Sequence, residues 1–276
     1  MSVTEARAFD DSQTAGSAPP AEGLADTVDD LACRDPSAHP RALRRVFLWA
    51  GRLVGGAVIA IALASVAAVG ILRWVDPPAS SFMLRHALVM VGLGRPPPYY
   101  HHRWVPWKEI PASVRIAAIA AEDQRFPVHH GFDPVEIRKA LAEYRQGGTL
   151  RGASTISQQT AKNLFLWPGR SWLRKGLEAW FTAWIELLWS KKRILEVYLN
   201  IVQLSPSTYG VGAASERYLH RHVSELSLEQ ASLLAGVLPA PGAYRLDKPS
   251  DRLLRRAAWI ADQSRRLGGV RYLKRL

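Results

Sequence analysis

Hydrophobic and polar positions divide the chain into unlike stretches. Residues 1–40 are rich in Ala, Asp, Ser and Pro and show no sustained apolar period, so they are predicted to be disordered. From Leu53 to Leu72 no residue is charged. As a helix these residues rise about 30 Å, enough to cross the hydrocarbon core of a bilayer. Phe82–Leu93 is a second apolar run, broken by Arg85 and His86 and too short to span; it is either core or an amphipathic segment resting on a membrane surface. The Pro96-Pro97-Pro98 run that follows excludes helix and predicts an extended linker. The expected boundaries are therefore a tail at 1–45, a membrane-spanning helix at 46–74, a membrane-proximal segment and linker at 75–110, and a main domain at 111–276.

Within that domain the period is helical. Pro111 opens a predicted helix running to Phe126, with Glu122 and Asp123 near its end; 134–146 is another, closed by Gly147 and Gly148. Ser171–Asn200 reads as helix throughout, and its stretch Leu177–Trp189 is apolar nearly all round, which predicts a path through the centre of the domain. Further helices are expected over 213–219, from Ser227 to about Leu238, and over 250–267. No convincing run of alternating strands appears, so the fold class is mainly α.

Charge changes this picture by giving it a direction. The formal net charge is +12, yet residues 1–72 hold six Arg against eight Asp and Glu, a net −2, which leaves +14 on the remainder. An anionic ligand is expected at the C-terminal part. Arg41, Arg44, Arg45 and Arg52 precede the apolar run and only Arg73 closely follows it, which predicts a cytoplasmic N-terminus and an extracytoplasmic domain. The single cysteine, Cys33, excludes an internal disulfide framework and a cysteine-based zinc site. Nucleic-acid binding fits the charge but not that side of a membrane.

Three places hold candidate chemistry. Gly152–Asn163, GASTISQQTAKN, has the Thr-x-x-Gln spacing of a capping box at Thr155 and Gln158. A helix starting there carries Thr155, Gln158, Gln159 and Lys162 along one face, and its N-terminus suits an anion such as a phosphate, with Ser154 and Thr155 supplying hydroxyls. Glu122 at a helix C-terminus opposes the helix dipole, which favours a raised pKa and a base. Glu178 is a carboxylate entering an apolar helix. No His–Asp arrangement makes Ser154 a nucleophile. His129 reads as a structural hydrogen-bonding group, and Lys192 with Glu196 as a surface pair.

Four motifs together carry a resemblance. Glu122-Asp123-Gln124-Arg125-Phe126 with His129 and Gly131, the GASTISQQTAKN stretch, Arg174-Lys175-Gly176-Leu177-Glu178, and Ser190 to Asn200 resemble, in order, the signatures of glycosyltransferase family 51. The likeness runs from about Asp76 to Leu267. It is closer to the monofunctional transglycosylases than to the bifunctional penicillin-binding proteins, because no second catalytic domain follows. The resemblance implies a lysozyme-like α-helical domain with a head lobe and a membrane-dipping jaw lobe, behind a single transmembrane helix of a bacterial inner membrane. It implies polymerisation of lipid II onto a nascent glycan strand, with inversion to a β-1,4 link and release of undecaprenyl pyrophosphate, next to other cell-wall synthesis or division proteins. Glu122 matches the catalytic base and Glu178 the second important glutamate. Ser154, Thr155, Gln158, Gln159, Lys162, Arg170, Arg174 and Lys175 match substrate-binding positions. Glu178 is left with two roles, orienting Lys162 and the other cations or holding a divalent cation (Mg or Mn) against the pyrophosphate; no organic cofactor is implied. The competing readings are a lysozyme-like lytic transglycosylase, which needs no cationic pocket, and an inactive scaffold, which needs no Glu122 or Glu178.

Overall fold

The computed structural model describes residues 38–148, 154–169 and 171–276, with only the backbone described at 38–43. Residues 1–37, most of the predicted tail with Cys33, lie outside the described residues. The chain divides inside its first helix into a unit ending at Ile59 and a compact unit, Ala60–Leu276. Helix α1 spans Ala38–Ile71, so it starts within the stretch assigned to the tail. Its Arg44–Ile71 portion has a mean hydropathy of 2.4 and is almost wholly unburied, with Leu53, Val58, Ile61 and Leu63 all exposed. A core helix of a soluble protein buries such side chains, whereas a helix solvated by lipid need not.

The compact unit is mainly helical. Helix α2 (Ser81–Gly92) is capped by the Ser80 hydroxyl and buries Met83, while Leu84, Leu88, Val91 and Leu93 are exposed, so this run is not a core segment. Helices α3 (Ala112–Glu122), α4 (Pro134–Arg145), α5 (Ile156–Phe165), α6 (Trp172–Leu188) and α7 (Lys191–Ile201) follow. The α3 helix stops at Glu122, short of the expected end at Phe126. Short helix α8 (Val211–Ala214) runs into a wider turn at 215–219, and α9 (Leu228–Gly236) and α10 (Asp251–Arg266) start at Ser227 and Ser250, whose hydroxyls accept backbone N–H bonds. Three very short strands, β1 (His101–His102), β2 (Gln203–Ser205) and β3 (Thr208–Tyr209), pair in the order β1-β3-β2, β1 parallel and β2 antiparallel to β3. The predicted linker thus contains a strand. Its partner, Thr208–Tyr209, lies far along the chain, and no local pattern specifies such a pairing.

The expected continuous helix from Ser171 to Asn200 is two helices. Trp189 turns extended, and the Ser190 hydroxyl accepts from Arg193 N–H to start α7. The burial is the reverse of the prediction. The apolar α6 buries Arg174, Glu178, Thr182 and Ile185 and exposes Trp172, Leu173, Trp180 and Leu187. The central helix is α7, with a polar-looking sequence and seven buried residues, Ile194, Leu195 and Val197–Ile201. It packs on α5, which also packs on α6, while α3 packs against α9 and α10.

Polar side chains of α7 reach three separate segments. Arg193 donates to the carbonyls of Leu72 and Val75 and pairs with Asp76 at 2.8 Å, which satisfies acceptors at the exit of α1. Glu196 pairs with Arg193 at 2.9 Å and accepts from Trp107 N–H, replacing the expected pair with Lys192. Tyr198 turns to Gln159. Asn200 accepts from Val105 N–H at 2.7 Å and donates to Val105 C=O at 2.8 Å. Next to it Gly210, at φ +79°, sits where a Cβ would be 2.4 Å from the Asn200 carbonyl oxygen. Asn200→Ala leaves two buried backbone groups of Val105 without partners. It is expected to cost about 3 kcal/mol of stability, measured by chemical denaturation in detergent micelles.

Candidate active site

Glu122 is the last residue of α3, and its side chain is 13% exposed. Its two oxygens face different elements. Oε2 accepts from Gln159 Nε2 of α5 at 2.9 Å, and Oε1 lies 3.7 Å from an Arg256 nitrogen of α10. Burial pushes the Glu122 carboxyl above the ordinary carboxylate value, against the Gln159 hydrogen bond and the Arg256 and Lys162 charges, which pull it down. The direction matches the expectation, but the main cause is burial. Glu122 lines an open cavity of about 300 Å³ with Ala121, Arg125, Ser154, Thr155 and Trp259.

A second group of charges lies on α6, with Arg174 and Glu178 buried and Lys175 exposed. Arg174 donates to Glu178 Oε2 at 2.9 Å and Lys175 to Glu178 Oε1 at 2.5 Å, so both oxygens of Glu178 are engaged. Helix periodicity produces this cluster, since positions 174, 175 and 178 share a face at steps of three and four. Lys162 of α5 lies between the two glutamates electrostatically. Burial pushes its ammonium below the ordinary lysine value, the Glu178 charge pulls it up, and Arg174 and Lys175 push it down again. Among the described residues no carboxylate lies within 4.0 Å of Lys162 Nζ. The cluster therefore offers cations to a ligand while Glu178 holds two of them in place.

The N-terminus of α5 is arranged differently from its sequence reading. The capping box forms, with the Thr155 hydroxyl accepting from Gln158 N–H and Gln158 Oε1 accepting from Thr155 N–H. The Thr155 hydroxyl also donates to the carbonyl of Gly131. The anion at this helix start is Asp123, whose Oδ2 accepts from Ile156 N–H at 3.0 Å. Thr155 and Gln158 are buried in these internal bonds, and Ser154 is exposed at the cavity. Of the residues expected to bind substrate, Gln159 meets Glu122, and Lys162, Arg174 and Lys175 gather near Glu178. Gly152 and Arg170 lie outside the described residues.

Asp123 is tied in turn to His129 at 2.9 Å, and Asp133 lies close enough for the three to resemble a metal site, their ligand atoms lying within 4.8 Å of one another. The donors already present argue otherwise. Asp133 caps α4 by accepting from Val135 and Glu136 N–H and pairs with Arg125 at 3.0 Å, while Asp123 receives Ile156 N–H and His129. These carboxylates hold the loop after α3, and with it the position of Glu122. His129 is a structural hydrogen-bonding group, as its sequence context indicates.

Sequence reasoning missed Arg256 and Tyr198. Arg256 sits in the run Arg252–Arg256 of a helix that reads as a solvated basic face; its Nε also donates to the carbonyl of Gly236. Tyr198 looks like one more core aromatic. The signal available for both was helical position, since each lies on the buried side of its helix beside fully buried Leu253, Ile260 or Ile194.

The compact helical unit thus holds a buried carboxylate, Glu122, and a set of cations, Lys162, Arg174 and Lys175, and it follows a helix long and apolar enough to cross a membrane. Residues 92–265 match the family model described as Transglycosylase. The chain belongs to that transglycosylase family. It is 51% identical over 212 residues to the biosynthetic peptidoglycan transglycosylase of Stutzerimonas stutzeri (strain A1501), covering 77% of this chain and 87% of the relative. It is 48% identical over 238 residues to that of Xanthomonas axonopodis pv. citri (strain 306), covering 86% and 95%, and 47% identical over 240 residues to that of Xylella fastidiosa (strain M23), covering 87% and 96%.

A buried carboxylate with a raised pKa works against folding once it ionises. The folded state binds the Glu122 proton more tightly than the unfolded state. The stability this confers is complete below the unfolded pKa and is lost as pH rises through the folded one. Glu122→Gln is therefore expected to raise the melting temperature at pH 7.5, and the gain should vanish as pH falls below the ordinary carboxylate range. Calorimetry at a series of pH values checks this.

Proposed function

We propose that this chain is a peptidoglycan glycosyltransferase that polymerises lipid II into β-1,4 glycan strands and releases undecaprenyl pyrophosphate. The observation that carries this reading is the pairing of a buried, proton-avid carboxylate, Glu122, with Lys162 and the Glu178-held Arg174 and Lys175. An acceptor 4-hydroxyl needs a base as it attacks the anomeric carbon, and Glu122 is that base. Its oxygen Oε2 already accepts from Gln159, so Oε1, on the α10 side, takes the proton. The new C–O bond forms as the bond to pyrophosphate breaks. The leaving group's growing negative charge meets Lys162, Arg174 and Lys175, with Arg170 a further candidate. Both oxygens of Glu178 being occupied, it acts here by orienting cations. With a cation already on each oxygen, it is better disposed to orient Arg174 and Lys175 than to take a divalent ion.

The same reading sets the location. The substrate's polyprenyl tail stays in the bilayer, α1 anchors the enzyme there, and the arginines before it keep the N-terminus in the cytoplasm with the domain outside. Exposed Leu88 and Val91 of α2 suit a segment that touches lipid. A finished glycan, the substrate of a lytic enzyme, carries no pyrophosphate and gives Lys162, Arg174 and Lys175 nothing to do.

Two variants test the chemistry. Glu122→Gln is expected to reduce polymerisation of labelled lipid II by at least about a hundredfold while lipid II binding survives. Lys162→Ala is expected to lose at least about tenfold in turnover with an unchanged melting profile, and Lys162→Arg to recover only part of it, because a planar fork does not reproduce a compact ammonium. Release of muropeptides from purified glycan, unaffected by Lys162→Ala and with no product from lipid II, would replace synthesis by cleavage. For topology, a reporter fused after Leu276 is expected to be active only outside the cytoplasm.

A further inference from the structure

The base is contacted by a side chain whose own orientation is fixed from the core. Gln159 donates through Nε2 to Glu122 Oε2 at 2.9 Å, and its other end, Oε1, accepts from the Tyr198 hydroxyl at 3.3 Å. Tyr198 is fully buried in the middle of α7. The two ends of a glutamine amide are alike in shape and opposite in hydrogen-bond sense. With N–H toward Glu122 the carboxyl must accept, which the carboxylate does best. With the carbonyl toward Glu122 it must donate, which only the protonated acid can do. The amide's orientation thus decides which state of Glu122 is favoured.

We infer that Tyr198 is a positioning residue for the reaction: its hydroxyl locks Gln159 with the amide N–H toward Glu122 and so keeps Glu122 a hydrogen-bond acceptor. The inference rests on the reading of Glu122 as the base. Flipping the amide gives the Tyr198 oxygen an N–H to accept, but leaves the hydroxyl proton without an acceptor among the described residues, in a place closed to water. The phenol remains a donor throughout, because burial first, and the Glu122 and Asp123 charges next, hold it well above the ordinary tyrosine value. A tyrosine one helix behind the active carboxylate therefore acts on the proton through the glutamine between them.

Among the described residues the other groups facing this unit are few. Glu122 meets Arg256 from α10 and Lys162 from α5, with Asp123 beside it in sequence and engaged by His129. Arg125, Asp133, Glu136 and Lys139 line the same cavity. Of the other elements on α3, α9 has its Glu229 paired with Arg265, and the segment 269–275 places the Tyr272 hydroxyl on the carbonyl of Gln124. None of these touches the Gln159 amide, so removing the Tyr198 hydroxyl leaves them in place.

The test is the pH dependence of lipid II polymerisation by the full chain in detergent–lipid micelles, with wild type, Tyr198→Phe, Gln159→Met and the double variant. Tyr198→Phe is expected to move the acid limb of kcat/KM upward by about one pH unit, an approximately tenfold loss below the limb. The alkaline plateau and KM should stay within about twofold. Gln159→Met is expected to move the limb in the same direction, and the double variant to move it no further than the larger single effect, because both act through one amide. Melting curves separate this from misfolding. An unshifted limb in Tyr198→Phe, a loss equal at every pH, or limb shifts that add in the double variant each overturn the inference. Glu122→Gln run alongside tells the two ideas apart. An active Glu122→Gln removes the base itself, whereas an inactive one with an unshifted Tyr198→Phe removes only the role of Tyr198.

Discussion

Helix α7 is held in the centre by hydrogen bonds that only its own polar side chains can make. Burying a helix with Arg193, Glu196, Tyr198 and Asn200 is unfavourable unless each finds a partner. Each partner is a segment with little reason of its own to be there. The exit of α1 ends on Arg193, the strandless stretch around Val105 and Trp107 hangs on Asn200 and Glu196, and Gln159 points at Tyr198. The fold around the site is therefore a consequence of satisfying one buried polar helix. The tight approach of Gly210 to the Asn200 carbonyl follows from the same requirement.

The active face inverts the usual logic of amphipathic helices. Helix α6 turns Arg174 and Glu178 inward and tryptophan and leucine outward. In water this arrangement is unfavourable on both sides. It becomes favourable when the outer face meets an apolar medium and the inner face meets an anion. Buried charges such as Arg174 and Glu178 are screened less by water than charges on an exposed loop, so they act more strongly on an anionic ligand. Glu178 keeps Arg174 and Lys175 from repelling one another and leaves Lys162 to a ligand.

The carboxylate at the end of α3 is placed by a different set of bonds. Asp123, His129, Asp133 and Arg125 fix the loop that follows it, and Asp123 also fills the N-terminus of α5. One side chain thus sets the distance between the helix that bears Glu122 and the helix that bears Gln159 and Lys162. The likeness to a metal centre comes from the same density of acidic groups. Backbone N–H groups and the side chains of Arg125 and His129 take the place of an ion.

Much of this was legible in the chain. The four motifs carry the family likeness, while the uncharged run after Leu53, the capping box at Thr155 and the helix starts at Pro111 and Ser227 depend on neighbours within a turn or two, and local physics fixes them. The same is true of Arg174, Lys175 and Glu178, which share a face by periodicity alone. Tertiary structure decided what periodicity leaves open: which face of a helix is inside. Composition puts α6 in the core and α7 on the surface, and the reverse holds, because hydrogen bonds to distant segments outweigh average hydrophobicity. The strand at His101–His102, the meeting of Arg256 with Glu122, and the Tyr198–Gln159–Glu122 chain join residues far apart in sequence. Their energies arise only once the helices are packed, so no local pattern carries them.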